Sequence, residues 1–433
     1  MKKDLLFYDV GPRVVPANRE SVIEIRPRFD HCRFQPDRFY EVTHVMMEDT
    51  RHKNNAPVAE VFSLKAEDGV LRLRCFFEGE QEHVFLGFKT ASETPPGGHG
   101  ELRVHVYSVN KDLLGRRPFK GDPHLHSNQS DGLESPAYVA GASRRIGLDF
   151  MAVTDHHRYA PSLEAIRAFA GISHDLRIYP GEEVHPPKSG VHIINFGGSF
   201  SVNDLFKDDG FSREVEERQK REPPVPPGVD ARDAASCLVC FDKIREAGGL
   251  GVFCHPYWMF HSHYSLSEAL VEYMFEKQPF DAYELLGGFS LAEAESNILQ
   301  LARYHDERAR GRTVPIVGAS DSHGCERGDL FGWYYTIVFS PSLDLTDLIG
   351  SIKQGYSVAV EALPGELVRA HGPFRFVKYA LFLLREVLPL HDELCAEEGR
   401  LMLALLSGQP AAAADLARLS GRCARLYRRL WAE

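Results

Sequence analysis

Hydrophobic and polar positions in the first part of the chain follow the two-residue period of strands. Ser21-Val22-Ile23-Glu24-Ile25 alternates in part, and the runs Val58 to Leu64 and Val70 to Phe77 flank Glu67-Asp68-Gly69. An acidic-glycine turn between two such runs predicts a hairpin. His83 to Lys89 and Glu101 to Val109 predict further strands, separated by the turn-rich Thr94-Pro95-Pro96-Gly97-Gly98. Short strands at this spacing predict a small β-sandwich over residues 1–117. No cluster of catalytic residue types falls within it.

From Arg117 the pattern changes to strands alternating with helices. Ser135-Pro136 opens a helix as N-cap and first helical residue, and Gly147 closes it. The strand Leu148 to Val153 follows, then a helix from about Ser162 to Gly171. Later apolar runs are Gly249 to Cys254, Phe280 to Leu286 and Val314 to Ala319, with helical patterns between them. This alternation predicts an α/β domain over residues 118–360, its sheet parallel and either open or closed into a barrel. A charged, proline-rich stretch at 203–235, containing Glu222-Pro223-Pro224-Val225-Pro226-Pro227, reads as a surface insertion. Residues 361–433 predict a helical C-terminal region, two amphipathic helices broken near Gly408-Gln409-Pro410.

Composition narrows the function. The 433 residues are 43% hydrophobic and 26% charged, enough for two or three domains with their own cores. Acidic residues outnumber basic ones 61 to 50, for a net charge of -11, which argues against a nucleic-acid binder. No apolar stretch approaches the roughly 20 residues a membrane span needs. The start, Met1-Lys2-Lys3-Asp4-Leu5-Leu6-Phe7, has too short an apolar run for a signal peptide. Eight cysteines at no framework spacing suggest reduced thiols and a cytoplasmic location. The twenty histidines are the unusual count. Histidine is the commonest metal ligand, so their placement matters.

They recur where predicted strands end. Gly121-Asp122-Pro123-His124-Leu125-His126-Ser127 sets two imidazoles at i and i+2, on one side of an extended segment. Ser130-Asp131-Gly132 then offers a carboxylate on a turn. Next come Thr154-Asp155-His156-His157, Pro180-Gly181-Glu182-Glu183, the lone His192, His255-Pro256 and Asp321-Ser322-His323. In a parallel barrel such strand ends converge on one face, where sites are built. A scatter of core histidines would not repeat this on strand after strand, so the metal reading prevails.

The order HxH, SDG, TDHH, GEE, lone His, HP and DSH resembles the PHP (polymerase and histidinol phosphatase) superfamily of metal-dependent hydrolases, over about Arg117 to Ser340. The opening Phe119-Lys120-Gly121-Asp122-Pro123-His124-Leu125-His126, the Gly147-Leu148-Asp149-Phe150 stretch and the β domain in front are most similar to the carbaryl-hydrolase-like branch, with Pro123 in place of an aliphatic residue. The resemblance implies a distorted (β/α)7 barrel holding two or three divalent ions, Mn, Fe or Zn. It implies that His124 and His126 share one ion with Glu183 and Asp321. Glu183 would bridge to a second, held also by His192 and His255, and Asp131, His156 and His323 would hold a third. Glu183 is preferred to Glu182 by the family's spacing after Pro-Gly. Adjacent residues of an extended segment face opposite sides, so only one can join the cluster.

Other residues receive plainer readings. Asp321 and His255 are candidates for moving a proton, and Arg158, Lys188, Tyr257 and Arg327 for binding a substrate anion. His261 and His263 form a second HxH without a following carboxylate and read as loop residues. His157 and His185 read as rim residues, and Asp155 as orienting His156 or capping the next helix. Cys237 and Cys240 read as structural, and Glu284 ends a strand with no ion assigned. The activity expected is hydrolysis of a small phosphate ester, since each of three ions can take one phosphoryl oxygen. A carbamate or carboxylic-ester hydrolase is the rival on the same fold. A catalytically silent binding module is the rival from another class, disfavoured by the complete ligand set. The partner expected is a small-molecule substrate, with no nucleic acid and no membrane; the sequence leaves oligomeric state open.

Overall fold

In the computed structural model, which describes residues 3–48, 52–53, 56–57, 59–90 and 102–432, the early strands sort into two sheets by the faces they bury. Tyr8–Gly11, Arg19–Pro27 and Leu71–Phe77 form one. Val14–Pro16, Leu102–Val109, Glu82–Thr90, Phe39–Met46 and Glu60–Lys65, in that spatial order, form the other. Along Leu71–Phe77 every second residue is buried, and Leu71, Leu73 and Phe77 join Ile23 and Ile25 in one apolar cluster. Tyr40, Val42, Phe85, Val104 and Val106 of the second sheet enter the same cluster. Val58, the Thr94-to-Gly98 turn and Glu101 lie outside the described residues.

The expected hairpin is only half present. Glu67 and Val70 exchange backbone hydrogen bonds of 3.0 and 2.9 Å, and Asp68 and Gly69 both have positive φ, as a tight hairpin turn requires. The flanking strands then part. Glu60–Lys65 pairs with Phe39–Met46, whereas Leu71–Phe77 pairs with Arg19–Pro27 in the other sheet. The turn sequence specified the reversal and left the partners to burial.

The chain folds as two compact units. The first contains residues 1–117 together with 378–391 and 421–433. Within it the buried pair Arg13–Glu386, at 3.4 Å, and the backbone bond from Arg13 N–H to the Leu430 carbonyl, at 2.7 Å, fasten late helical segments to the early strands. The second unit contains residues 118–377 and 392–420. There Arg144 reaches Glu398 and Asp149, and Lys120 reaches Asp392, all through ion pairs of 2.7 to 3.1 Å. Residues 361–433 are thus no separate domain but are divided between the units. They form four helices, Phe374–Glu386, Leu388–Leu406, Ala412–Leu419 and Arg422–Leu430, in place of the two expected.

The second unit is mixed α/β. One sheet runs in the order Arg177–Tyr179, Phe150–Ala152, Arg117–Asp122, Tyr334–Ser340, Ser357–Glu361, Arg369–His371. The other runs Gly181–Val184, Ile193–Phe196, Leu250–Phe253, Ala282–Leu286, Ile316–Gly318. Pairing is parallel between Phe150–Ala152 and Arg177–Tyr179, where the helix Ala160–Ala168 makes the crossover. It is antiparallel between Gly181–Val184 and Ile193–Phe196, whose link is too short for a parallel return, and also across the helix-containing links from Ile193–Phe196 to Leu250–Phe253 and from Tyr334–Ser340 to Ser357–Glu361. The sheet is therefore not the uniformly parallel one the alternation predicts. Two isolated parallel bridges extend the pairing: Leu125 with Ser322, both beyond strand ends, and His156 with Glu183 of the strand Gly181–Val184.

The stretch at 203–235 is more ordered than its composition suggests. It contains the helix Asp209–Arg221, capped by Asp208 and burying Phe211 and Val215. Acidic Asp209 sits in its first turn and Arg218, Lys220 and Arg221 in its last, matching the helix dipole. Cys237 and Cys240 lie buried on the next helix, Ala231–Glu246, where burial pushes both thiols up, so they are inert packing residues.

The first unit also carries a buried imidazole chain. His44 Nε2 lies 3.0 Å from His83 Nδ1, and His83 Nε2 lies 2.9 Å from the Ser108 hydroxyl, which donates to the Gly79 carbonyl. Burial, with the neighbouring His44, pushes the His83 pKa down to about 3. As pH falls from about 6.5 towards about 3, the unfolded chain gains a proton at His83 that the folded chain refuses, so stability falls with pH across that window. Thermal melts from pH 7 to pH 4 should therefore show a steeper decline for wild type than for His83→Gln. Parallel curves would refute this role.

Candidate metal centre

The HxH segment is held from both sides. His126 N–H donates to the Ser322 carbonyl at 3.0 Å, and Thr154 N–H to the Leu125 carbonyl at 2.7 Å. Asp122 accepts from the backbone N–H groups of His124 and Ser320, at 3.1 and 3.2 Å, and burial lifts its pKa to about 7. Asp155 neither orients His156 nor caps the following helix, as the sequence suggested. Its carboxylate accepts from Ser127 N–H at 2.7 Å, Ser127 Oγ at 2.5 Å and Ser130 Oγ at 2.6 Å, which fixes the turn bearing Asp131.

Two candidate residues are held in a backbone region that non-glycine residues rarely occupy. His255 has φ +23° and Asp321 φ +48°, directly after the strands Leu250–Phe253 and Ile316–Gly318. Such strain costs on the order of 1–3 kcal/mol and persists only where the surroundings enforce it. Gly288 is part of those surroundings: a Cβ there would lie 2.3 Å from the Asp321 Cβ.

The nine metal-ligand candidates converge into three adjoining groups. In the first, His124 Nε2 and His126 Nε2 lie 3.5 and 3.4 Å from Glu183 Oε2, and 3.1 and 2.9 Å from Asp321 Oδ1. In the second, Glu183 Oε1 is 2.8 Å from His192 Nδ1 and 3.7 Å from His255 Nε2. In the third, Asp131 Oδ2 is 3.4 Å from His156 Nε2 and 3.3 Å from His323 Nε2, with His126 also within reach.

Glu182 and Glu183 separate as adjacent strand residues must. Glu182 turns away and accepts from Asn195, Ser201, the Val202 N–H and Asn203, at 2.5 to 3.2 Å. Glu183 faces the imidazoles. It is fully buried, yet neither of its carboxylate oxygens has a hydrogen-bond partner. The same holds for His124 Nε2, both ring nitrogens of His126 and Asp321 Oδ1. These atoms approach one another closely without hydrogen-bond alignment, aimed at common points between them. Buried polar groups are normally paired, so a set of orphans converging this way fits a cation shared among nitrogen and oxygen donors. Four coordinating groups of this kind, with no cysteine, suit a borderline divalent ion.

The charges agree. Burial opposes protonation of His156, but Asp131 and Glu183 outweigh it and push its pKa up to about 10. Burial likewise opposes ionisation of Glu183, and the surrounding histidines His192 and His124 overcome it, holding the carboxyl well below the usual range. Asp131 and Asp321 are lowered in the same way by their histidine neighbours. The pocket is built for positive charge.

The remaining candidates are placed variously. Arg158 and Lys188 are exposed near His156 and His185, and Arg327 Nε lies 3.4 Å from Asp329. The Tyr257 hydroxyl is taken up by Arg303 Nε at 3.1 Å and Glu268 at 3.5 Å, a different use from the anion contact expected of it. His261 and His263 sit on the small hairpin Met259–Phe260 and His263–Tyr264. His157 is exposed, as expected of a rim residue. His185 lies deeper than the rim: its Nε2 is 3.0 Å from His156 Nδ1 and 3.7 Å from Glu183 Oε1. Glu284, left without an ion in the sequence reading, touches two of the candidate ligands. A lone carboxylate inside an apolar run was the available signal.

No protein-family model matches the chain. A stretch of 56 residues, 13% of the chain, is 41% identical to the DNA polymerase/3'-5' exonuclease PolX of Bacillus subtilis (strain 168) and covers 10% of that protein. Among solved structures, the chain is similar to a two-domain protein from Bacteroides vulgatus ATCC 8482 containing a predicted PHP-like metal-dependent phosphoesterase. That match has 17% identity and a TM-score of 0.39, over 57% of this chain and 65% of the other. It is similar also to a candidate metal-dependent phosphoesterase from Bifidobacterium adolescentis ATCC 15703, at 20% identity and a TM-score of 0.31, over 48% of this chain and 88% of the other. In its motif order the chain resembles the PHP superfamily of metal-dependent hydrolases.

Proposed function

We propose that the chain is a metal-dependent hydrolase acting on a small phosphate ester at a trinuclear site. The observation that carries this reading is the set of buried, unpartnered donor atoms of His124, His126, Glu183 and Asp321 that point at shared centres. His124, His126, Glu183 and Asp321 would hold one divalent ion, Glu183, His192 and His255 a second, and Asp131, His156 and His323 a third. Mn, Fe or Zn fits this donor set. Bound ions supply Lewis-acid activation of water and of the attacked oxygen.

The chain's own residues then have distinct tasks. Glu183, with Oε2 facing His124 and His126 and Oε1 facing His192 and His255, would hold two of the ions. The Asp321 carboxylate, partly exposed beside His255 at 3.9 Å, is placed to take a proton from water, whereas His255, with Nδ1 on Glu284 and Nε2 facing Glu183, serves as a ligand and not as a proton carrier. Arg158, Lys188 and Arg327 are the cationic side chains for the substrate's outer charge. A transferring phosphoryl group spreads negative charge over three oxygens, which suits three cation positions with nearby arginines. A carbamate develops a single oxyanion and would leave the third position little to do. Within this reading the net acidity of the chain disfavours a polynucleotide substrate.

Substitution separates the two adjacent glutamates. Glu183→Gln should lower bound metal and kcat/KM by more than about 100-fold, beyond the usual effect of an outer partner of a ligand. Glu182→Gln should keep its metal and lose about 1–3 kcal/mol of stability, because one of its buried donors would face an amide N–H. Metal analysis and chemical denaturation of both variants check this, and the reverse pattern would overturn the assignment.

The substrate class is decided by comparing p-nitrophenyl phosphate with a naphthyl carbamate on one Mn-loaded preparation. The phosphate should give the higher kcat/KM. A carbamate rate more than about tenfold higher, about 1.4 kcal/mol of preferential transition-state binding, would replace the phosphatase by an ester or carbamate hydrolase. Metal binding with turnover of neither would point to a silent binding module.

A further inference from the structure

Glu284 is wholly buried in the middle of the strand Ala282–Leu286, not at a strand end as the sequence suggested. Between Glu284 and Leu286 the pairing with Ile316–Gly318 shifts register, an irregularity of the kind that re-aims a side chain. The two carboxylate oxygens serve different histidines. Oε2 lies 2.8 Å from His124 Nδ1. Oε1 lies 3.1 Å from His255 Nδ1 and accepts from the His255 backbone N–H at 3.3 Å. The opposite ring nitrogens, His124 Nε2 and His255 Nε2, are the ones that face Glu183.

We infer that Glu284 is a positioning residue that locks two ligand histidines at once, one in each of two adjoining ion sites. The inference rests on the metal-centre reading above. A carboxylate has only acceptors, so each facing imidazole must carry its proton on Nδ1. That leaves the Nε2 lone pair of both rings free for an ion. A histidine's second nitrogen fixes the tautomer and raises the basicity of the first. Here a single carboxylate does so for two rings, and therefore couples two ion positions without touching either ion. His255 needs the support in a further way, since its backbone is held at φ +23° and its N–H also binds Glu284.

The same group of atoms, with Cys254 added, could instead be taken as an ion site in its own right. The surroundings argue otherwise. The Cys254 thiol faces the Val252 carbonyl at 3.4 Å, and burial keeps it protonated. An ion seated there would also occupy both Nδ1 atoms and force the protons onto Nε2, leaving Glu183 and Asp321 facing N–H groups.

Glu284→Gln discriminates sharply, because an amide has one accepting atom and one donating group. At most one of the two histidines can then keep its proton on Nδ1. The variant should bind Zn at least one equivalent short, or with that ion weakened about 10–100-fold. Its apo circular dichroism should remain that of wild type. In ¹⁵N-histidine spectra of the Zn-loaded proteins, two Nδ1–H groups bonded to Glu284 should appear in wild type and one should be lost in the variant. Wild-type Zn stoichiometry and affinity in Glu284→Gln, or Nε2–H protons on His124 or His255 in Zn-loaded wild type, would overturn the clamp. Should Glu284→Gln fail to fold, the wild-type spectrum decides alone. Wild type that takes up neither Zn nor Mn would sink the metal-centre reading, and the clamp with it.

Discussion

Burying a carboxylate costs several kcal/mol unless cations or aligned donors repay it. Glu183 is completely buried, and no aligned donor meets either oxygen. Much of the second unit can be understood as the means of meeting that one charge. Strand ends bring His124, His126, His156, His192 and His255 around it, and Asp321 and Asp131 extend the charge pattern outward. Each imidazole nitrogen that faces Glu183 is a site for positive charge, from a proton or an ion. Removing the carboxylate would leave the histidines repelling one another, and removing the histidines would leave an uncompensated buried anion.

The scaffold supplies the precision this arrangement needs. Hydrogen bonds from Ser127 and Ser130 to Asp155, and from His124 and Ser320 to Asp122, tie the loops that carry ligands to buried, otherwise satisfied carboxylates. The strained Asp321 follows Ser320, which Asp122 holds, and the strained His255 gives its N–H to Glu284 at 3.3 Å. Two classes of buried carboxylate thus coexist within a few residues. Glu182, Asp155 and Asp122 spend their oxygens on neutral protein donors and hold the structure together. Glu183 and Asp321 keep theirs turned towards the imidazoles.

Much of this was legible in the sequence, and the gaps have physical reasons. Strand ends and helix starts such as Ser135-Pro136 are local properties, and the helix Pro136–Arg145 begins as its N-cap predicted. The histidine and carboxylate spacing was visible because most of the ligands fall near the ends of apolar runs, while Asp131 and His192 were placed only by the motif order. Pairing partners were not. Glu67-Asp68-Gly69 makes its turn, yet the strands on either side enter different sheets, a choice made by long-range burial. Prolines and charges around 222–227 hid the helix Asp209–Arg221, whose two buried residues give too thin an apolar stripe to register. The role of Glu284 depends on a register shift and on rings about 30 and 160 positions away in sequence, information no motif carries. No helix among the described residues is long and apolar enough to cross a membrane.

A centre for divalent ions formed by Glu183 and its surrounding histidines is open to direct observation. Crystals grown with Mn, Fe or Zn and measured at the absorption edge of each metal would test it most directly. Anomalous peaks are expected flanking Glu183, each about 2.0–2.2 Å from its oxygens and from imidazole nitrogens that include His124 Nε2 and His255 Nε2. Metal-rich crystals with no anomalous peak within reach of Glu183, or with the ion seated between the Nδ1 atoms at Glu284, would contradict it.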